Sequence, residues 1–160
     1  MPVELVYWDS DAFLGWLQAE PGKVELCAGT LKRASQGEVV ILTSALTLAE
    51  VLWMRNAPPI PQDKAEIVRK FFRRSYMRVR NVTRAASESA QDLVWTQGIR
   101  PKDAIYVATA LDAGAFALET FDEGLIGKSG KVGTPPLLIR KPLPPAQNEL
   151  DLLHGQGPQR

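Results

Sequence analysis

Histidine and cysteine are almost missing from this chain: its 160 residues include one of each, His154 and Cys27. A lone cysteine makes neither an internal disulfide nor a thiolate zinc cluster. Cys27, set in Val24-Glu25-Leu26-Cys27-Ala28, reads as a small buried hydrophobe. His154 lies in a Gly/Pro/Gln-rich stretch that gives a general base no support. Ser–His and Cys–His nucleophilic catalysis therefore lack their base, and histidine-rich metal sites lack their ligands. Long apolar runs are missing too: nothing approaches the roughly 18–20 residues of a membrane span. Met1-Pro2-Val3-Glu4 opens without a basic segment leading into an apolar one. The expected location is the cytoplasm, with no membrane partner. Excess charge of one sign is also absent, with 19 Lys and Arg against 18 Asp and Glu. Any nucleic-acid signal must then come from local patterning. What is left to a catalyst is carboxylate chemistry.

The length suits one domain that buries roughly two thirds of its unfolded surface. Short apolar segments at Val3–Trp8, Val39–Thr43, Tyr76–Val82, Ala115–Thr120 and Leu137–Arg140 read as strands. They alternate with helical patterns over about 11–18, 22–36, 45–55, 62–74, 84–97 and 102–113. That alternation predicts an α/β fold with a mainly parallel central sheet. Several helix starts are legible. Asp63 with Glu66 behind Pro61 resembles a capping box, Thr43 or Ser44 suits the helix that carries Glu50, and Thr83 and Pro101 suit the next two. Pro58-Pro59-Ile60-Pro61 reads as a stiff linker inside the domain. The domain is expected over 1–140, with 141–160 a Pro/Gly-rich mobile tail holding at most a short helix at Asn148–His154.

Four acids sit against apolar segments. Asp9 ends the run through Trp8, and Glu50 is the only charge between Val39 and Met54. Asp103 opens Ala104–Leu111, and Asp122 follows Ala115–Phe121. Such carboxylates carry a desolvation cost unless something positive meets them. In an open parallel sheet, residues beyond the carboxyl ends of strands share one rim, where strand order reverses. All four acids can converge there, and a shared hard cation would remove their mutual repulsion. Taken singly, Asp9, Asp103 and Asp122 each have an ordinary capping or turn role. Glu50, inside a helix, has none.

These stretches resemble the PIN-domain ribonuclease family, and within it the VapC-like toxins of toxin–antitoxin pairs. The resemblance rests on Val6–Leu14, on Thr43–Leu52, on Arg100–Leu111 with its Asp-Ala-Ile-x-x-Ala-Thr-Ala core, and on Leu118–Asp122, in that order. It implies a three-layer α/β/α fold and Mg²⁺- or Mn²⁺-dependent endoribonuclease activity. Asp9, Glu50, Asp103 and Asp122 would be the catalytic and metal-holding acids, with Ser10 and Thr120 supporting. It also implies an RNA substrate, a homodimer and a small antitoxin partner. Asp11 stands where relatives often carry Asn, Ser or Thr, so it is either an additional ligand or a helix cap. Tyr106 stands where a His is frequent.

The near-neutral total hides a basic middle. Between Arg55 and Arg84 nine Lys and Arg face only Asp63 and Glu66. Arg69, Arg73 and Arg74 around Phe71-Phe72, and Arg78 and Arg80 on one strand face, are candidates to hold RNA phosphates. Otherwise they form a solvated face or a partner surface. Trp8, Trp16, Trp53 and Trp95 all sit in apolar patterns and are expected in the core. Gly127-Lys128-Ser129 lacks the upstream glycine of a P-loop and reads as a loop near the site. Two other functions compete. Asp9-Ser10-Asp11 resembles the nucleophile motif of haloacid-dehalogenase-like phosphatases, although Phe13 stands where Thr or Val is expected. A non-catalytic RNA- or partner-binding module is the third reading.

Overall fold

The computed structural model describes residues 2–145. Five parallel strands form one sheet in the order β3-β2-β1-β4-β5: β1 (Glu4–Trp8), β2 (Val39–Ser44), β3 (Met77–Arg80), β4 (Ala117–Glu119) and β5 (Leu138–Arg140). β1 occupies the centre because both its faces are apolar, as a parallel strand covered on both sides requires. Val6 and Trp8 face one layer and Tyr7 the other, all fully buried. From β1 the chain passes first to β2 on one side and later to β4 on the other. Strand order therefore reverses between β1 and β4, and the crevice beyond their carboxyl ends is where such sheets bind ligands.

One layer holds α1 (Ser10–Leu17), α2 (Val24–Ser35) and α4 (Ala65–Phe72). Trp8, Phe13, Phe71 and Phe72 interlock there, with successive ring centroids 5.0–6.0 Å apart in tilted or edge-on pairs. The other layer holds α5 (Arg84–Gln97) and α6 (Pro101–Asp112), packed through Ala86, Ala90, Ala104 and Val107 onto Tyr7, Leu42 and Leu118. The fold is thus the expected three-layer α/β/α sandwich. Gly98 closes α5 with φ of 64°, its N–H bonded to the Val94 carbonyl. That left-handed turn, disfavoured for residues with a side chain, sets Pro101 at the first position of α6.

Several local expectations shift. The helix carrying Glu50, α3 (Ala45–Glu50), ends at Glu50 instead of near 55. Its cap is Ser44, whose Oγ accepts from Leu46 N at 3.2 Å. After Glu50 the backbone tightens into i→i+3 bonds, Leu52 N to Ala49 O and Trp53 N to Glu50 O. Asp63 makes no cap: a 3₁₀ turn over Gln62–Lys64 precedes α4, and neither start has a side-chain cap hydrogen bond. A short α7 (Glu123–Ile126), unforeseen in the sequence, follows Asp122. Trp8 is buried as expected, but Trp53 and Trp95 are each 75% exposed. Trp95 lies on an outward face of α5 and Trp53 in the turn after α3, which local apolar composition alone does not reveal. Beyond Arg140, Leu143–Pro145 lie against α2 so closely that a Cβ at Gly29 would collide with their backbone. The expected helix at Asn148–His154 lies outside the described residues. Among the described residues, no helix is long and apolar enough to cross a membrane.

Candidate functional site

β1 delivers Asp9 to the crevice. The residue is 2% exposed and serves as N-cap of α1, Oδ1 accepting from Ala12 N at 3.0 Å. Its Oδ2 accepts from Thr120 Oγ at 2.6 Å, and Thr120 Oγ in turn accepts from Asp122 N at 3.1 Å. The turn after β4 is therefore fastened to the end of β1 through one hydroxyl. Asp122 caps α7, Oδ1 accepting from Leu125 N at 3.2 Å. Asp103 stands in the first turn of α6. The capping roles and the convergence coexist: Asp9, Ser10, Asp11, Asp103 and Asp122 line one cleft of ≈ 450 Å³ together with Arg100 and Lys102. Glu50 borders it, its Oε2 accepting from Ser10 Oγ at 3.2 Å and pairing with Lys102 Nζ at 2.7 Å.

The electrostatics follow from burial. Asp9 is pushed up to about 7, chiefly by desolvation. Its hydrogen bonds from Thr120 and Ala12 oppose the rise, while Asp103 and Asp122 add to it. Asp103 is also raised by burial, with Arg100 pulling the other way and Asp122 adding to the rise. The Arg100 guanidinium bridges two acids, 3.2 Å from Asp103 Oδ2 and 2.7 Å from Asp122 Oδ2. Asp11 lines the same cleft and is paired with Arg55.

Among the described residues, no three His, Cys, Asp or Glu side chains stand as a ready-made coordination set. Arg100 and Lys102 hold oxygens of Asp103, Asp122 and Glu50. The donor chemistry nevertheless fits a hard divalent cation. All donors are carboxylate oxygens, which suit Mg²⁺ or Mn²⁺. Glu50 Oε1 is buried without a hydrogen-bond partner, so one acceptor is already stripped of water. Asp9 is a buried carboxylate facing two others, the arrangement a cation relieves.

Of the expected RNA-holding residues, none lines this cleft. Arg69 and Arg73 are exposed at the end of α4. Arg74 stacks over Phe71 and donates to Tyr76 Oη, Arg78 donates to the Ser75 and Met77 carbonyls, and Arg80 pairs with Asp112. The cations the structure does place at the acids are Arg100 and Lys102, overlooked in the sequence although Arg-Pro-Lys directly precedes Asp103. Glu119 was overlooked as well. Fully buried on β4, it accepts from Trp8 Nε1 at 2.9 Å and Thr30 Oγ at 2.7 Å and pairs with Arg140 at 3.3 Å. An acid inside an apolar strand was the available signal.

Comparison with known proteins agrees with this fold. The PIN domain family profile matches residues 6–130. No curated protein is significantly similar in sequence. Among solved structures, the chain is similar to Mycobacterium tuberculosis VapC20, a sarcin-ricin loop cleaving toxin, with a TM-score of 0.56 and 21% identity, covering 75% of this chain and 92% of that one. It is similar to VapBC2 from Rickettsia felis, bound to a promoter DNA fragment, with a TM-score of 0.59, 14% identity and coverage of 86% and 98%. The FitAB structure bound to an IR36 DNA fragment gives 0.55, 16% identity and coverage of 86% and 94%. At such identities the likeness carries the fold.

Proposed function

Because the chain belongs to the PIN-domain family, we propose that it is a metal-dependent endoribonuclease and the toxin of a toxin–antitoxin pair. The observation that carries this reading is Asp9, a buried carboxylate at the sheet's reversal point, fixed by Thr120 and Ala12 and facing Asp103 and Asp122 across one cleft. Asp9, Asp103 and Asp122, with Glu50 at the margin, would hold Mg²⁺ or Mn²⁺. When bound, such an ion lowers the pKa of an attacking water and stabilises charge on the leaving oxygen.

The protein's own groups prepare that site. Each Asp9 oxygen accepts one protein hydrogen bond and keeps further lone-pair capacity. Thr120 fixes the carboxylate rotamer, and Ser10 steadies Glu50. Arg100 and Lys102 neutralise the acids, and with a cation bound there they would be free to donate to phosphate oxygens. Asp11, on the cleft wall and paired with Arg55, is not required as a ligand in this scheme. That same pairing, with Phe13 fully buried in the core, argues against the phosphatase reading.

The proposed partners are RNA, a second copy of the chain and a small antitoxin, in a cytoplasmic setting. Support for the antitoxin comes from the toxin–antitoxin assemblies among the similar folds. The activity is tested by incubating wild type, Asp9→Asn and Asp103→Asn with single-stranded and structured RNA under Mg²⁺, Mn²⁺ and chelator. Metal-dependent products with 5′-phosphate ends, lost in both variants, are expected. The internal pairing of the acids with Arg100 and Lys102 favours a second reading, a non-catalytic RNA-binding module. RNA binding without cleavage in Mn²⁺ would establish it.

A further inference from the structure

A second concavity, of ≈ 330 Å³, opens beside the acidic cleft and shares Arg100, Asp103 and Asp122 with it. Its far wall carries Gly98, Gly124 and Lys128. Lys128 is half-buried, and among the described residues it has no ion-pair partner. The acids nearest in sequence are taken: Asp122 by Arg100 at 2.7 Å and Glu123 by Lys141 at 3.1 Å. An ammonium partly withdrawn from water and facing a cavity is unfavourable until an anion arrives. Gly124 lies on that wall, where a Cβ would approach Asp122 Oδ1 to 3.2 Å.

Arg100 stands between the two cavities with 75% of its side chain exposed, holding Asp103 and Asp122. A divalent cation held by those carboxylates would compete with the guanidinium for both partners. Released from them, Arg100 would join Lys128 as a cation lining the second cavity. A planar fork and a point charge are the pair that grips phosphate oxygens.

Resting on the nuclease reading above, we propose that Lys128 and Arg100 form a seat for the RNA backbone phosphate adjacent to the one being cut. The seat fixes the strand in register, so the scissile phosphate meets Asp9 and Asp103 while its neighbour is held outside the acidic cleft. It binds charge and carries no base specificity.

The test measures binding of a short single-stranded RNA with one mapped cleavage position, by fluorescence anisotropy across a salt series. Ca²⁺, a hard cation that takes the same oxygen ligands, fills the acids, and electrophoresis checks that the RNA stays intact. Lys128→Gln is expected to weaken binding about fivefold to tenfold. It should also lower the slope of log affinity against log salt by about 0.7, one single-strand phosphate contact. Lys128→Arg should retain both, as should Lys141→Gln, a control cation outside the seat. A neutral methylphosphonate, placed in turn at each linkage flanking the cut, should cost wild type the same factor at one of them. At that linkage it should cost Lys128→Gln nothing further. An unchanged slope, equal loss with Lys141→Gln, or losses that multiply would overturn the seat. If wild type cuts RNA in Mn²⁺ with a KM that Lys128→Gln leaves unaltered, the seat alone is wrong. If wild type leaves RNA uncut, the nuclease reading fails and takes the seat with it.

Discussion

Trp8 Nε1 donates to Glu119 Oε1 at 2.9 Å across the β1–β4 pair, in a place with no access to water. The next residues along the two strands are Asp9 and Thr120, which meet on the rim. Glu119 also takes the Thr30 hydroxyl and the Arg140 guanidinium, so it joins three elements directly beneath the site. Its network is complete, and removing it strands several buried donors. Glu119→Ala should cost about 3–5 kcal/mol, the penalty of breaking a buried charge pair. Glu119→Gln, which keeps an acceptor, should cost less. Urea unfolding of the three proteins measures both, and equal stability for wild type and Glu119→Ala would remove this network from the account.

Thr120 acts on Asp9 through a single hydroxyl. Thr120→Val keeps the shape and deletes the 2.6 Å bond, leaving a buried carboxylate oxygen without its donor. A loss of about 1–3 kcal/mol in stability is expected. Cleavage should fall with it, through a lower kcat because Asp9 is no longer held in place. Thr120→Ser should restore most of both. If Val and Ser behave alike, the hydroxyl does not orient the acid.

The metal-free protein should be more stable in mild acid than near neutrality, as far as Asp9 is concerned. Its folded pKa is raised from 3.8 to about 7. A raised folded pKa means the native state holds the proton more tightly than the unfolded chain. The resulting stability is fully present below the unfolded value and is lost as pH rises through about 7. Asp9→Asn, permanently neutral, should therefore raise the melting temperature of chelator-treated protein at pH 8, by an amount that shrinks towards zero near pH 4. A constant difference across that range would show that Asp9 is not the titrating group.

Arg100 holds Asp103 and Asp122, so a metal ion at the proposed site would compete with it for both. Arg100→Gln should lower the stability of metal-free protein by leaving two neighbouring carboxylates unneutralised. It should also tighten Mn²⁺ binding by several-fold, because the resident cation no longer has to leave. Thermal shift against Mn²⁺ concentration reads both. Weaker binding in Arg100→Gln would mean that the guanidinium assists the ion.

Much of this architecture was legible in the chain. The β1, β2 and β5 segments are apolar runs bounded by turn residues. The start of α6 is marked by Arg100-Pro101, with Pro101 at the first helical position, and that of α5 by Thr83, whose Oγ accepts from Ala86 N at 3.0 Å. The convergence of Asp9, Asp103 and Asp122 followed from their positions after strands and at a helix start. What escaped depends on tertiary direction. Whether Trp95 points in or out is decided by the face α5 turns to α6, and the apolar pattern of the sequence does not fix that. The pairings of Arg100 with Asp122 and of Lys102 with Glu50 join segments far apart in the chain, which no local pattern encodes. Asp11 could be a ligand or a cap in sequence terms. Its pairing with Arg55 is a contact across a loop that no local pattern encodes.

The central claim is that these carboxylates share one hard cation, and calorimetric titration of Mn²⁺ into chelator-treated protein at pH 7, in buffers of different ionisation enthalpy, tests it most directly. The account predicts saturable binding to wild type accompanied by proton release, since Asp9 is partly protonated at that pH and must ionise to serve as a ligand. Both the binding and the release should disappear in Asp9→Asn and Asp103→Asn. No saturable uptake by wild type, or the same uptake in all three proteins, would contradict it.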